Sequence, residues 1–203
     1  MSQFLAVHPE HPQPRLVKRA AEILAGGGVI AYPTDSTYAL ACQVGDKTAV
    51  ERICRIRRLE RDHLFTLVCH DLSHLATYAR VDNTSFRFIR HHIPGPYTFL
   101  LRATREAPRR LVHPRRRTIG LRVPESAIVR ALIETHQGPL ISTSLLLPGD
   151  EAPLTNADSI RERLERDVDA IIDGGHCGVV PTTVVDLTTG EVNVVREGLG
   201  ELT

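Results

Sequence analysis

The chain has 203 residues, 42% of them hydrophobic and 24% charged, close to the average for a globular protein, so one domain can bury a core without disulfide or metal staples. Trp is absent and aromatic residues make up only 4%, which argues against broad stacking platforms for single-stranded bases and leaves Leu, Ile, Val and Ala to fill the core. The net charge of +1 hides a basic middle: residues 51–130 hold 17 Arg against 7 acidic residues, and Lys18 and Lys47 are the only lysines.

In chain order, Pro14 opens a predicted helix over 15–25, with Leu16, Ala20, Ile23 and Leu24 on one face and Gly26-Gly27-Gly28 as its stop. Val29 to Tyr32 reads as a short buried strand ended by Pro33, and Thr37 to Cys42 as a second. Asp46 caps a predicted helix running to Leu59, with Val50, Ile53 and Ile56 inward. Leu64 to Cys69 is strand-like, and Asp82 caps a helix with Phe86 and Ile89 inward. Strands follow at 97–101 and 119–123, then a helix at 127–135 and a strand at 139–142. Asn156 caps a helix to Glu165, and three short strands near 170–172, 183–187 and 192–195 end the chain. Helices and strands intermix without strict alternation. The fold expected is therefore one α/β domain over residues 1–203, with a twisted, mixed, open sheet and helices on both faces.

No stretch approaches the roughly 20 apolar residues of a membrane span, and the first ten residues lack the pattern of a signal peptide. A cytoplasmic protein with no membrane partner is expected. Cys42, Cys54, Cys69 and Cys177 form no Cys-x-x-Cys pair, so free thiols are expected. The ten histidines are scattered and show no zinc-site spacing, so no protein-held metal is expected.

Four segments can carry chemistry. Tyr32-Pro33-Thr34-Asp35-Ser36-Thr37-Tyr38 concentrates hydroxyls in a turn between apolar strands. There Thr34, Ser36 and Tyr38 either meet a small polar ligand or satisfy their own turn backbone. Arg55, Arg57, Arg58 and Arg61 crowd a helix C-terminus beyond what the macrodipole requires and suit a phosphate clamp. Arg109-Arg110 and Arg115-Arg116-Arg117 suit a solvated loop or an RNA backbone contact. Ser142-Thr143-Ser144 ends a strand where open α/β sheets bind ligands. There is no glycine-rich phosphate loop, so a nucleotide site has to use arginine side chains.

Together with Gly27 to Ser36, Pro94 to Thr98, Gly120 to Pro124, Thr182 to Asp186 and Val195 to Gly198, these segments resemble the YrdC/YciO family, and its YciO branch in particular. The resemblance implies an α/β sheet with a concave basic cleft. It also implies an activity like that of threonylcarbamoyl-adenylate synthases, which join threonine, bicarbonate and ATP with Mg²⁺ for tRNA modification, and binding of double-stranded RNA or tRNA. Thr34 would then lie by a threonine-like substrate and Arg122 would pair with its carboxylate. Arg55, Arg57, Arg58, Ser142, Ser144 and Arg196 would serve the nucleotide phosphates.

Three positions depart from the synthases. Arg55-Ile56-Arg57 stands for Lys-x-Arg, Ser142-Thr143-Ser144 for Ser-x-Asn, and Cys69 for a common His. Two outcomes stay open: a divergent synthase with weak or altered activity, and a non-catalytic RNA-binding module.

Overall fold

The computed structural model describes residues 1–60, 63 and 65–202. Arg61 and Leu64, which the sequence assigns to the phosphate clamp and a strand start, lie outside them.

Eleven strands form one mixed sheet. They are β1 (Gln3–Ala6), β2 (Ile30–Tyr32), β3 (Ala39–Gln43), β4 (Thr66–Val68), β5 (Ala79–Arg80), β6 (Tyr97–Ala103), β7 (Thr118–Arg122), β8 (Leu140–Ser144), β9 (Ala170–Asp173), β10 (Thr183–Asp186) and β11 (Asn193–Arg196). The helices are α1 (Pro14–Ala25), α2 (Lys47–Arg57), α3 (Leu72–Tyr78), α4 (Asn83–His92), α5 (Ala127–His136) and α6 (Ala157–Leu164). Strand order is β1-β9-β2-β3-β8-β4-β7-β6-β10-β11, with β5 paired to β6. Parallel pairs such as β4–β7 and β6–β10 sit beside antiparallel ones such as β3–β8 and β6–β7, as a chain without strict helix–strand alternation requires.

The predicted caps form. Asp46, Asp82 and Asn156 accept the backbone N–H groups of Ala49, Ser85 and Ser159 at 2.8, 2.8 and 2.9 Å, and Asp71 and Ser126 do the same for α3 and α5. α4 departs from expectation in one respect. Phe86 is 42% exposed, because the inward stripe is Ser85, Ile89 and His92, one position round the helix. β1, α3 and β5 are additional elements. β1 pairs with β9 more than 160 residues away, a partner that no local pattern announces.

Two cores sandwich the sheet. On one face α2, α3, α4 and α6 bury Ile53, Leu75, Ile89 and Ile160 against Leu67, Phe99, Leu121 and Ile171. On the other, α1 and α5 pack on each other and cover Ile30, Tyr32, Ala41, Leu140 and Ile172. These two helices cover only part of their face. Among the described residues, the stretch of sheet from β8 to β10 on that side carries no helix, and a concave cleft of about 460 Å³ opens there.

Candidate functional site: an arginine-lined cleft

Alternation places small and polar side chains on the floor of the cleft. Thr66 lies between Ser142 of β8 and Gly120 of β7, and Gly120 lies opposite Leu100 of β6. Their chain neighbours Leu67, Leu121, Ile141 and Phe99 point into the helix-covered core. Ser142 is fixed in the floor: its Oγ donates to the Leu40 carbonyl at 3.2 Å and accepts from the Tyr32 hydroxyl at 2.8 Å. Ser144 also lines the cleft. The Thr143 hydroxyl lies 3.2 Å from Nε2 of His63, whose ring packs edge-on against Phe65.

Three arginines converge on this floor. Arg57, in the last turn of α2, has Nε and Nη1 buried without a hydrogen-bond partner among the described residues, and burial pulls its pKa down. A buried guanidinium donor without an acceptor costs free energy, which an anion or water supplying one would recover. Arg196, at the edge of the cleft, donates from Nη2 (2.8 Å) and Nε (3.2 Å) to the Thr182 carbonyl. Thr182 is held in turn by the Thr98 hydroxyl at 2.8 Å. Burial pulls Arg196 down as well.

Arg122 joins the cleft to the Thr34 turn. Its Nη2 binds the Asp35 carboxylate, the Ser36 hydroxyl at 3.0 Å and the Thr34 hydroxyl at 3.4 Å. Its Nε is buried without a partner among the described residues.

The cleft thus gathers Arg57, Arg122, Ser142, Ser144 and Arg196. Arg55 and Arg58 stand apart: both are exposed and face a separate depression on the other side of α2. At 3.6 residues per turn, two positions turn a helix by about 200°, so Arg55 and Arg57 cannot point the same way.

Nor do the hydroxyls of the Thr34 turn reach the cleft. Thr34 Oγ1 donates to the Thr37 carbonyl at 2.6 Å and accepts the N–H groups of Ser36 and Thr37, so it closes its own turn. Ser36 is spent on Thr34 and Arg122. The buried Tyr38 hydroxyl donates to the Gly175 carbonyl at 2.8 Å, and burial pushes its pKa up.

Cys69 lies in the helix-covered core, where burial pushes its thiol up. It serves packing rather than the cleft. Arg109 and Arg110 border a different depression beside Cys54, and Arg115, Arg116 and Arg117 are exposed on a loop.

Sequence reasoning missed Thr66, Thr98, Gly120 and Thr182 as cleft residues. The available signal was polar or small residues recurring every second position in strands whose alternate residues are apolar.

A mixed sheet with one half-bare face and convergent arginines defines a class of α/β protein with a basic ligand cleft. The chain belongs to the Sua5/YciO/YrdC family, whose model, described as telomere recombination, matches residues 22–198. It is 54% identical over 202 residues to Escherichia coli YciO, described as an uncharacterized protein, covering 100% of this chain and 98% of that one. The crystal structure of E. coli YciO superposes with a TM-score of 0.94 over 99% of this chain and 98% of its own. The Xanthomonas campestris threonylcarbamoyl-AMP synthase is 32% identical over 177 residues, 85% of this chain and 94% of that protein. P. abyssi Sua5 complexed with L-threonine has a TM-score of 0.88 at 26% identity, covering 97% of this chain and 58% of Sua5. Among the described residues, no helix is long and apolar enough to cross a membrane.

Proposed function

We propose that the cleft binds a nucleotide through its phosphates together with a small carboxylate substrate, in a divergent form of the threonylcarbamoyl-AMP synthase reaction. The observation that carries this is the half-buried Arg57, whose buried Nε and Nη1 have no acceptor among the described residues and which lines the cleft with Ser142 and Arg196. Phosphate oxygens supply the acceptors these donors lack, Nε and Nη1 lying on different edges of the guanidinium. Arg122 Nε offers a further donor to an anion on the floor. The similarity to a threonylcarbamoyl-AMP synthase and to a Sua5 seen with L-threonine supports threonine as the carboxylate.

The chain's own residues position and stabilise. Arg57 and Arg196 place cations where charge builds on the phosphates, and the hydroxyl floor orients the substrate. Glu151 is the one acid lining the cleft among the described residues, so Mg²⁺ would enter on the triphosphate rather than on a protein cage. When bound, the ion neutralises phosphate charge.

The second reading, a non-catalytic module for tRNA or double-stranded RNA, gains weight from Arg55, whose place outside the cleft leaves a single cation where the synthases have a Lys-x-Arg pair. Pyrophosphate release from ATP, measured with threonine and bicarbonate and then with each omitted, separates the two. Release that depends on both substrates is the expected result. ATP binding without release supports the module, and absence of ATP binding removes the cleft assignment.

A further inference from the structure

On the far side of α2 from the cleft, Arg55 and Arg58 line a depression of about 510 Å³. Arg52 joins them from the same helix, and Arg163 and Arg166 from the end of α6 and just beyond it. Its floor is apolar, formed by Ile56, Leu147 and Leu164.

Two of the five arginines are tied down. Arg52 donates to Asp169 at 2.6 Å and to the Asp167 carbonyl at 2.7 Å, and Arg163 donates to Asp150 at 2.6 Å. The side chains of Arg55, Arg58 and Arg166 carry no ion pair or hydrogen bond among the described residues, and all three are exposed. The helix macrodipole accounts for Arg55 in the last turn of α2. Arg166, just past the C-terminus of α6, is favoured in the same way, and what the macrodipoles do not require is that the two helix ends meet around one hollow. Asp167 is the single carboxylate lining it among the described residues.

We propose that this depression is a second anion site, separate from the cleft, which takes a compact polyphosphate. Guanidinium forks on several sides of a hollow match linked phosphates, and the low-dielectric floor concentrates their field. Among the described residues no aromatic side chain lines the hollow, so recognition falls on the phosphates and not on a base. A nucleic-acid backbone calls for cations strung along a track, whereas these gather around one hollow. The inference does not rest on the nucleotide reading of the cleft.

The test is calorimetric titration of the full chain with pyrophosphate, tripolyphosphate and ATP in an Arg57→Ala background, which weakens the cleft. One variant adds Arg55→Ser, Arg58→Asn and Arg166→Ser; Asn suits the left-handed backbone at position 58 (φ 49°). A control adds Arg115→Ser, Arg116→Ser and Arg117→Ser, which removes the same charge elsewhere. The first variant is expected to bind pyrophosphate at least about tenfold more weakly, and the control to match its parent. Equal affinity for pyrophosphate and ATP would assign recognition to the phosphates, and tighter ATP binding that survives the first variant would place the site elsewhere. The proposal is overturned if the first variant binds like its parent, or if the control loses as much. It is also overturned if duplex RNA binds the depression and pyrophosphate does not displace it.

Discussion

Asp35 and Arg122, 87 residues apart in sequence, form a nearly buried ion pair in which Asp35 also accepts the Glu125 backbone N–H at 2.9 Å. One carboxylate therefore ties the Thr34 turn to β7 and to the approach to α5. Where the resemblance would pair Arg122 with a substrate carboxylate, the protein supplies one of its own to Nη2, and Nε and Nη1, bonded to nothing among the described residues, are left for a ligand.

Removing Asp35 leaves Arg122 buried without its counter-charge. Asp35→Ala is expected to destabilise the protein by about 3 kcal/mol, read as a lower midpoint in urea. A loss below about 1 kcal/mol would mean that water or Ser36 replaces the carboxylate.

Arg57 should behave in the opposite way. Arg57→Met removes a half-buried cation with two unsatisfied buried donors, so stability is expected to hold or to rise by about 1 kcal/mol. ATP affinity is expected to fall by about 1.5–3 kcal/mol, the range of a hydrogen bond to a charged group. Calorimetry and denaturation on the same variant would show the two opposed signs, and ATP affinity equal to wild type would refute the role.

Gly120 marks the middle of the cleft floor. A Cβ there would meet Leu100, Thr98 and Thr66 no closer than 3.6 Å, which is ordinary contact, so Gly120→Ala should fold. Its side chain would rise into the ligand volume. The expected outcome is an unchanged melting temperature with ATP binding lost by at least about tenfold, the size of effect of overfilling a packed site.

His70 gives a pH signature away from the cleft. Its Nε2 lies 2.7 Å from Glu134 on α5 and its Nδ1 3.1 Å from Asp71 at the cap of α3. The Glu134 bond, then the Asp71 bond, raises its pKa above the ordinary histidine value. A raised folded-state pKa means stabilisation that is complete below the unfolded value of about 6.5 and lost as pH climbs through the folded one. The melting advantage of wild type over His70→Gln should be present at about pH 6 and absent at about pH 9. An advantage independent of pH would assign the residue to packing alone.

Much of the fold was legible locally. Asp46, Asp82 and Asn156 were readable as caps because a short polar acceptor three residues before a free N–H is a local device. Alternation marked the strands of the central sheet for the same reason. Phe86 was misplaced because a helix of ten residues admits stripes one position apart, and its partners chose between them. β1 was missed because its only partner is β9.

The candidate site was legible in kind but less so in membership. Composition alone determined that any phosphate would be held by arginine, and the order of the Tyr-Pro-Thr-Asp, Arg-Val-Pro and Arg-Glu-Gly segments determined the family. Only the tertiary structure decided which groups have spare hydrogen-bonding capacity. Thr34 and Tyr38 satisfy protein carbonyls, while half-buried Arg57 lines the cleft with Nε and Nη1 unspent among the described residues. The helix turn separates Arg57 from Arg55 and Arg58 and sends the clustered cations to two sides of α2. Sequence fixes which groups a chain owns, whereas the partners that use up or spare those groups are brought together only by folding.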